Sequence, residues 1–555
     1  MSDLLVFTQP RDQPPVLDDR QVGVLAARLQ PDGVTHRPPT IWRRPGMTVV
    51  ITDPLGTEGE PASFRLGGVP AADESWFAHV TGSMNDHRVE VANDAVGSRT
   101  VWIGESDGVT VASTSLRAAV FAFGSFQFDP RAWAWMLPSG SLGPSWSWDQ
   151  RLQQLPGRSV VHLSSGRKPQ ISSRCEEGDP VGHGLTNLDE ILRATVGRLR
   201  PGADWILPLS GGVDSRSLAL LLPQGMRTVT WGTVASRSVP TSDTTVAQVL
   251  ASEIGSRHEF LPLDAEPVAS EIVLERFVRA SEGRVDQFGG YVDGFALWRR
   301  LREHGVTGVL RGDETFGWGP YPSEFAVRRA RLPEFDDVSN LRPFAEAVRI
   351  DWCLDEAKHR PRGTEESLAD WRDALQREAR APSIMAALNQ AKSGHVEVVN
   401  PLLAPEIVDY IIALPVRSRT DKRPLRRWVK EHSPSVPFAQ HGSLSDPKIA
   451  LGDETLVEQM SDALFYASSR FQVPPTLTGT LESEFRVTAE SSRADSGLRR
   501  RLVPRRLARW VVLRDPRFTV SANRLGFRIL LGVRTAELLT ADAVARDETR
   551  PDRHG

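Results

Sequence analysis

The chain has 555 residues, 40% of them hydrophobic and 25% charged, with a formal net charge of −3. That length exceeds what one hydrophobic core usually supports, so at least two domains are expected. The near-neutral charge excludes a global attraction to nucleic acid or an anionic membrane, and no run approaches the roughly 20 apolar residues that span a bilayer.

The opening residues, MSDLLVFTQPRDQPP, lack a basic segment followed by a long apolar one, so no secretory signal is read. Residues 1–170 read as β-rich. Alternating runs such as 86-DHRVEVAND-94, 99-RTVWIGES-106 and 108-GVTVAST-114 sit between Asp/Gly/Ser turns, and 155-LPGRSVVHLSSGRKP-169 reads as a hairpin. Residues 171–186 turn polar and are taken as a linker. In 187-NLDEILRATVGRLRP-201, Asn187 can cap a helix, Glu190 follows three residues later, and Leu188, Ile191, Leu192 and Leu199 keep a helical period. Strand candidates 205-WILPL, 227-RTVTWG, 258-HEFLPL and 306-VTGVLRG then alternate with helical stretches. That order predicts an α/β domain with a doubly wound parallel sheet, whose ligands bind beyond the carboxyl ends of the strands. Residues 380–432 read as mainly helical.

The C-terminal region carries twelve Arg between Arg493 and Arg534, interleaved with apolar residues. It reads either as a basic amphipathic surface or as helices packed on the body with Arg stems lying on apolar surface. Two cysteines, Cys175 and Cys353, form no CxxC pair and no disulfide framework, which fits a reduced cytoplasmic compartment.

The chemistry concentrates in 204-DWILPLSGGVDSRSLALLL-222. Gly211 and Gly212 permit backbone angles and close approach that a side chain would forbid. The helix beginning near Ser215 offers free N–H groups and the positive end of its dipole, and Ser210 and Ser215 add hydroxyl donors, so the turn suits phosphates. An acid inside it would repel phosphate unless a cation lay between them; Asp214 therefore implies Mg²⁺. No Lys follows the glycines, so this is not the GxxxxGK[ST] loop.

LSGGVDS after a strand resembles the pyrophosphatase loop of the asparagine synthetase family. Further family motifs follow in order. The strand 227-RTVTWG-232, with Trp231 and Gly232, resembles the one that helps hold adenine, and Asp243, Ala247 and Ala251 match a D-x3-A-x3-A helix. A shortened acidic loop, 309-VLRGDETFGWGPY-321, supplies Asp313 and Glu314; 396-VEVVNPLLA-404 resembles VExRxPFLD, with Glu397 and Pro401 matching; and 446-DPKIALGD-453 places Lys448 in a late Lys position. Residues 94–114 resemble strands of the family's amidotransferase domain.

The resemblance implies a β-rich amidotransferase-like sandwich of the N-terminal-nucleophile type at 1–170, the linker at 171–186, an ATP-binding synthetase domain with helical additions at 187–450, and an Arg-rich, mostly helical extension at 451–555. It also implies a two-step synthetase that forms an acyl-adenylate, releases pyrophosphate, and passes the acyl group to an amine. In that scheme Ser210, Gly211, Gly212, Asp214, Ser215, Trp231 and Gly232 bind ATP, and Asp214 and Asp313 hold Mg²⁺. Lys448 stabilises developing charge, and Glu397 takes a proton from the amine.

Glutamine-dependent members carry Cys as their second residue, whereas this chain has Ser2, a weaker nucleophile near neutral pH. A domain that keeps its fold without its glutaminase is expected, with the amine coming from free ammonia or from a substrate, as in the β-lactam and lasso-peptide macrolactam synthetases. The expected partners are a carboxylate-bearing small molecule or precursor peptide and an amine donor, with a partner protein or leader peptide possible, and no membrane or nucleic acid. Asparagine synthesis proper, a tRNA-modifying adenylating enzyme and a non-catalytic nucleotide-binding scaffold are the alternatives.

Overall fold

The run Leu4–Phe7 is apolar at every position because strand β1 (Asp3–Thr8) is covered on both faces. Leu4 and Val6 enter a core shared with a second sheet, while Leu5 and Phe7 join helices on the opposite side. The computed structural model describes residues 3–35, 37–52, 58–70, 76–173, 187–263, 268–288, 294–444, 450–487 and 517–549.

The N-terminal region adds β2 (Thr40–Arg44), β3 (Met47–Thr52), β4 (Glu58–Glu60), β5 (Ser63–Pro70), β6 (Trp76–Met84), β7 (Arg88–Asn93), β8 (Trp102–Ser106), β9 (Val109–Ser113), β10 (Leu152–Gln154), β11 (Ser159–Ser164) and β12 (Gln170–Ser173). They form two six-stranded antiparallel sheets, β10-β8-β9-β1-β3-β2 and β12-β11-β7-β6-β5-β4, stacked through residues such as Val49, Ile51, Leu66 and Val91. The alternating runs at 86–94, 99–106 and 108–114 contain β7, β8 and β9, and the 155–169 stretch contributes β11. Helices α1 (Asp19–Leu29) and α2 (Leu116–Phe123) lie inside the stretch read as β-rich. All eight residues of α2 are buried, so it has no polar face from which a helical period could be read.

The second region runs β13 (Trp205–Pro208), α3 (Val213–Leu221), β14 (Thr228–Gly232), α4 (Asp243–Glu253), β15 (His258–Pro262), α5 (Ser270–Ser281), β16 (Gly308–Leu310), α6 (Ala386–Ser393), β17 (Glu397–Val399) and α7 (Arg423–His432). Its five strands are parallel in the order β15-β14-β13-β16-β17. Both faces are covered: Ile206, Val229, Val309 and Val398 pack on one side, Leu207, Leu310 and Val399 on the other. From β13 the chain moves outward through β14 and β15, then returns to the far side of β13 for β16. The switch point, and hence the expected ligand crevice, lies between the carboxyl ends of β13 and β16.

The two regions are joined through buried charge. Glu282, which ends α5, accepts hydrogen bonds from Ser115 Oγ at 2.6 Å and from the Leu116 and Arg117 N–H groups at 2.9 and 3.1 Å, satisfying the free amino end of α2. Helices α8 (Glu454–Arg470) and α9 (Ala522–Glu548) pack together, and α9 also lies on α2. Asp542 of α9 accepts from Arg117 Nε and Arg28 Nε, both at 2.7 Å, while Arg524 and Arg528 donate to Asp286. Within its described part the tail therefore packs on the body; Arg493 to Arg514 and most of the linker, 174–186, lie outside the described residues. No helix among the described residues is long and apolar enough to cross a membrane.

Candidate active site

The Ser210–Ser215 turn leaves β13 and becomes α3 at the switch point. Gly212 is the N-cap residue, which puts Asp214 and Ser215 in the first turn. The two hydroxyls fasten the turn: Ser215 Oγ accepts from the Ser210 N–H at 3.0 Å and lies 2.9 Å from Ser210 Oγ, which accepts from the Gly212 N–H at 3.2 Å. Neither glycine has positive φ, so the expectation of unusual backbone angles is corrected. The requirement at Gly211 is space, because a Cβ there would stand 2.4 Å from Ala439 Cβ.

The acidic loop after β16 meets this turn across the crevice. A Cβ at Gly312 would lie 3.0 Å from the Ser215 N and the Asp214 carbonyl carbon. Between the loops stands Lys422, whose Nζ is 2.7 Å from both Asp214 Oδ2 and Glu314 Oε1 and 5.3 Å from the Trp318 ring centre. Burial pushes the Glu314 carboxyl up to about 7 despite the ammonium beside it, and nearby Asp214 adds to the rise. Asp214 is raised by burial too, with Lys422 offsetting part of it and Asp313 adding to it. Burial works against the Lys422 charge, but Glu314 and Asp214 outweigh it and hold its pKa above the ordinary value. Asp421 and Lys422 are both left-handed, at φ of 59° and 55°, a backbone strain of about 1–3 kcal/mol per residue concentrated beside these charges.

Asp214 Oδ1 is buried without a hydrogen-bond partner among the described residues, and the Asp313 carboxylate is partly exposed, 3.7 Å from Arg311 Nε. A hard divalent cation completed by phosphate oxygens fits that pair of acids. Among the described residues no group of three or more His, Cys, Asp or Glu could hold an ion alone.

A segment following α7 crosses the same strand ends. The Ala439 N–H donates to Gly211 O at 3.0 Å, and Ser443 accepts from the Thr233 N–H at 2.9 Å while its Oγ donates to Trp231 O at 2.9 Å. A Cβ at Gly232 would lie 2.5 Å from Ser443 Cβ. The Trp231 ring meets Trp298 edge to face at 5.3 Å.

Residues 187–439 match the family described as asparagine synthase. This segment is similar to asparagine synthase domains. The likeness supports, in general terms, an ATP-dependent ligase that forms an amide bond. A search of curated proteins finds no match.

The matched segment brings Ser210, Gly211, Gly212, Asp214, Ser215 and Asp313 to one crevice, with Trp231 and Gly232 at the end of the neighbouring strand. Glu397, expected as general base, lies away from this crevice. It pairs in register with Gly308, the first residue of β16, whereas the acidic loop follows the last. Its fully buried carboxyl faces the N-terminal domain, with Oε1 3.5 Å from Arg99 Nη1, and burial raises its pKa. Around that pair Gln390 donates to Asp3 at 3.1 Å, and His79 Nδ1 lies 2.8 Å from Asp94 and 2.7 Å from Ser98 Oγ. Lys448 and Ser2 lie outside the described residues.

Sequence reasoning missed Lys422. The signal available was rarity, since only Lys168, Lys358, Lys392, Lys422, Lys430 and Lys448 are lysines among 67 basic residues. In a chain that uses Arg almost everywhere, Lys marks a place for a compact point charge.

Proposed function

We propose that this protein adenylates a substrate carboxylate and passes the acyl group to an amine without hydrolysing glutamine. The observation that carries the reading is the crevice itself, where a helix amino end suited to phosphate shares its space with Asp214, Asp313 and the cation Lys422. ATP lies with its β and γ phosphates in the Ser210–Ser215 turn and its base toward Trp231 and Gly232. A carboxylate oxygen attacks the α-phosphorus, the bond to the bridging oxygen breaks, and pyrophosphate leaves. An amine then adds to the acyl carbon, loses a proton, and expels AMP.

Asp214 and Asp313 would hold Mg²⁺, which when bound screens the phosphate charges. Lys422 turns its ammonium from the two carboxylates toward the departing pyrophosphate oxygens. Lys448 is the proposed stabiliser of charge on the α-phosphate and the acyl oxygen.

Independence from glutamine is supported by Ser2 in place of a thiol and by the buried contacts among Asp3, His79, Asp94, Ser98, Arg99 and Glu397 that join the N-terminal domain to β17. The amine then comes from free ammonia or from the substrate, and ring closure on a precursor peptide is the most concrete form of the reaction. Thiol chemistry on an RNA base is disfavoured at Cys353, where burial and Glu356 push the thiol pKa up.

The test is ATP–pyrophosphate exchange with aspartate, small amino-acid derivatives and peptides containing an internal Asp or Glu. Exchange lost in Asp214→Asn supports adenylation, and mass spectrometry then separates ring closure, which removes one water, from amidation by ammonia. Cleavage of ATP to ADP alone refutes the proposal, and exchange with aspartate as the sole substrate identifies asparagine synthesis proper.

A further inference from the structure

We propose that Arg216 is a positioning residue for ATP, holding segment 436–443 so that it fixes the spacing between the phosphate turn and the adenine-side strand end. The proposal rests on the reading that ATP binds in this crevice.

Arg216 follows the SGGVDS turn directly, on α3, and its side chain is among the largest that are fully buried, with 1% exposure. A guanidinium so far from water is costly unless its donors are used. Here Nη1 donates to Val436 O at 2.6 Å and Nη2 to Pro437 O at 3.0 Å, and the guanidinium lies 4.4 Å from the centre of the Phe438 ring. The residue that directly follows the phosphate turn thus grips three successive residues of a segment more than two hundred positions downstream.

Past the grip, the segment touches each nucleotide-side element in turn. Ala439 bonds to Gly211 of the phosphate turn. The Asp243 N–H at the start of α4 donates to His441 O at 2.9 Å, and His441 Nδ1 lies 2.8 Å from Thr241 Oγ1. Ser443 bonds to Trp231 and Thr233 at the end of β14. Gly211 and Gly232 each leave no room for a side chain against this segment. It therefore acts as a gauge laid across both loops, and Arg216 sets where the gauge begins. Lysine is a poor replacement, because its ammonium lacks the planar fork that sets two donors on adjacent carbonyls while its face lies on a ring.

The test uses the full chain, Mg²⁺ and a non-hydrolysable ATP analogue with a methylene between the α and β phosphates. Binding is followed by calorimetry, and exchange of the Ala439 and Ser443 amides by hydrogen–deuterium mass spectrometry. Arg216→Lys is expected to weaken analogue binding at least tenfold and to speed exchange at Ala439 while the melting temperature stays close to wild type. Phe438→Ala, at a partly exposed ring, is expected to weaken binding a few-fold and to add little in the double variant. Wild-type affinity in Arg216→Lys, or an affinity loss matched by a fall in melting temperature in both single variants, overturns the proposal. If the wild type binds no analogue, the reading of the crevice fails, and unchanged amide exchange in Arg216→Lys then overturns the gauge as well.

Discussion

Replacing Lys422 with Met removes the cation from between Asp214 and Glu314 while keeping much of the side-chain volume. At an effective dielectric of about 20, each 2.7 Å contact is worth about 6 kcal/mol before desolvation is charged against it. Breaking a buried pair from one side costs about 3–5 kcal/mol net, because the partner is left charged and unpaired. The remaining carboxyls can avoid that cost by taking protons, which makes it depend on pH. Glu314 is already raised from 4.5 to about 7, so its ionisation opposes folding: the opposition is absent below the unfolded value and complete above the folded one. Without Lys422 the folded value moves higher and the window widens upward. The stability gap between wild type and Lys422→Met, read from urea unfolding, is therefore expected to be small at pH 5 and to grow steadily toward pH 8.5. Adding Glu314→Gln should flatten the growth. A gap that is constant with pH, or widest in acid, refutes the electrostatic account of this cluster.

Gly211→Ala should weaken Mg²⁺-ATP binding by at least about tenfold, the equivalent of about 1–3 kcal/mol of overpacking against Ala439, and Ala439→Gly should restore part of it. Equal affinities for Gly211→Ala with and without the second change would show that the contact is not the cause. Glu282→Ala strands three donors at the start of α2 and should cost about 3 kcal/mol or more in thermal unfolding, since each buried unsatisfied group costs about 1–3 kcal/mol. A variant within 0.5 kcal/mol of wild type, a value typical of surface positions, would mean that Glu282 does not join the domains energetically.

The parallel sheet was legible because its strands are short apolar runs separated by helical stretches, and four of the five carried that mark. β17 did not: three residues inside a helical context give no period, and only its pairing with β16 defines it. The position of the Ser210–Ser215 turn at the switch point was legible from its strand-to-helix text, and its acid, in a turn whose helix end suits anions, is what pointed to a cation there. Lys422 was not, because its role comes from a loop 208 residues from Asp214 in sequence. Glu397 shows the converse. Its surroundings in the sequence point to chemistry, yet its strand position turns it toward Arg99 and the neighbouring domain, and register is a property of the sheet rather than of the local text.

The attachment of α9 to α2 has a consequence in time. Arg117 is separated from Asp542 by 425 residues, which at about 5–20 residues per second takes about 20–85 s to synthesise. Through that interval the face of α2 that meets α9 has no cover, and the Arg117 guanidinium has no Asp542 to receive its donors. The N-terminal sandwich and its Glu282 and Glu397 contacts can form early, but the cover over this face of α2 awaits a helix made after both. A ribosome-bound chain halted before residue 522 should expose this face to chaperones, and release of α9 should remove them.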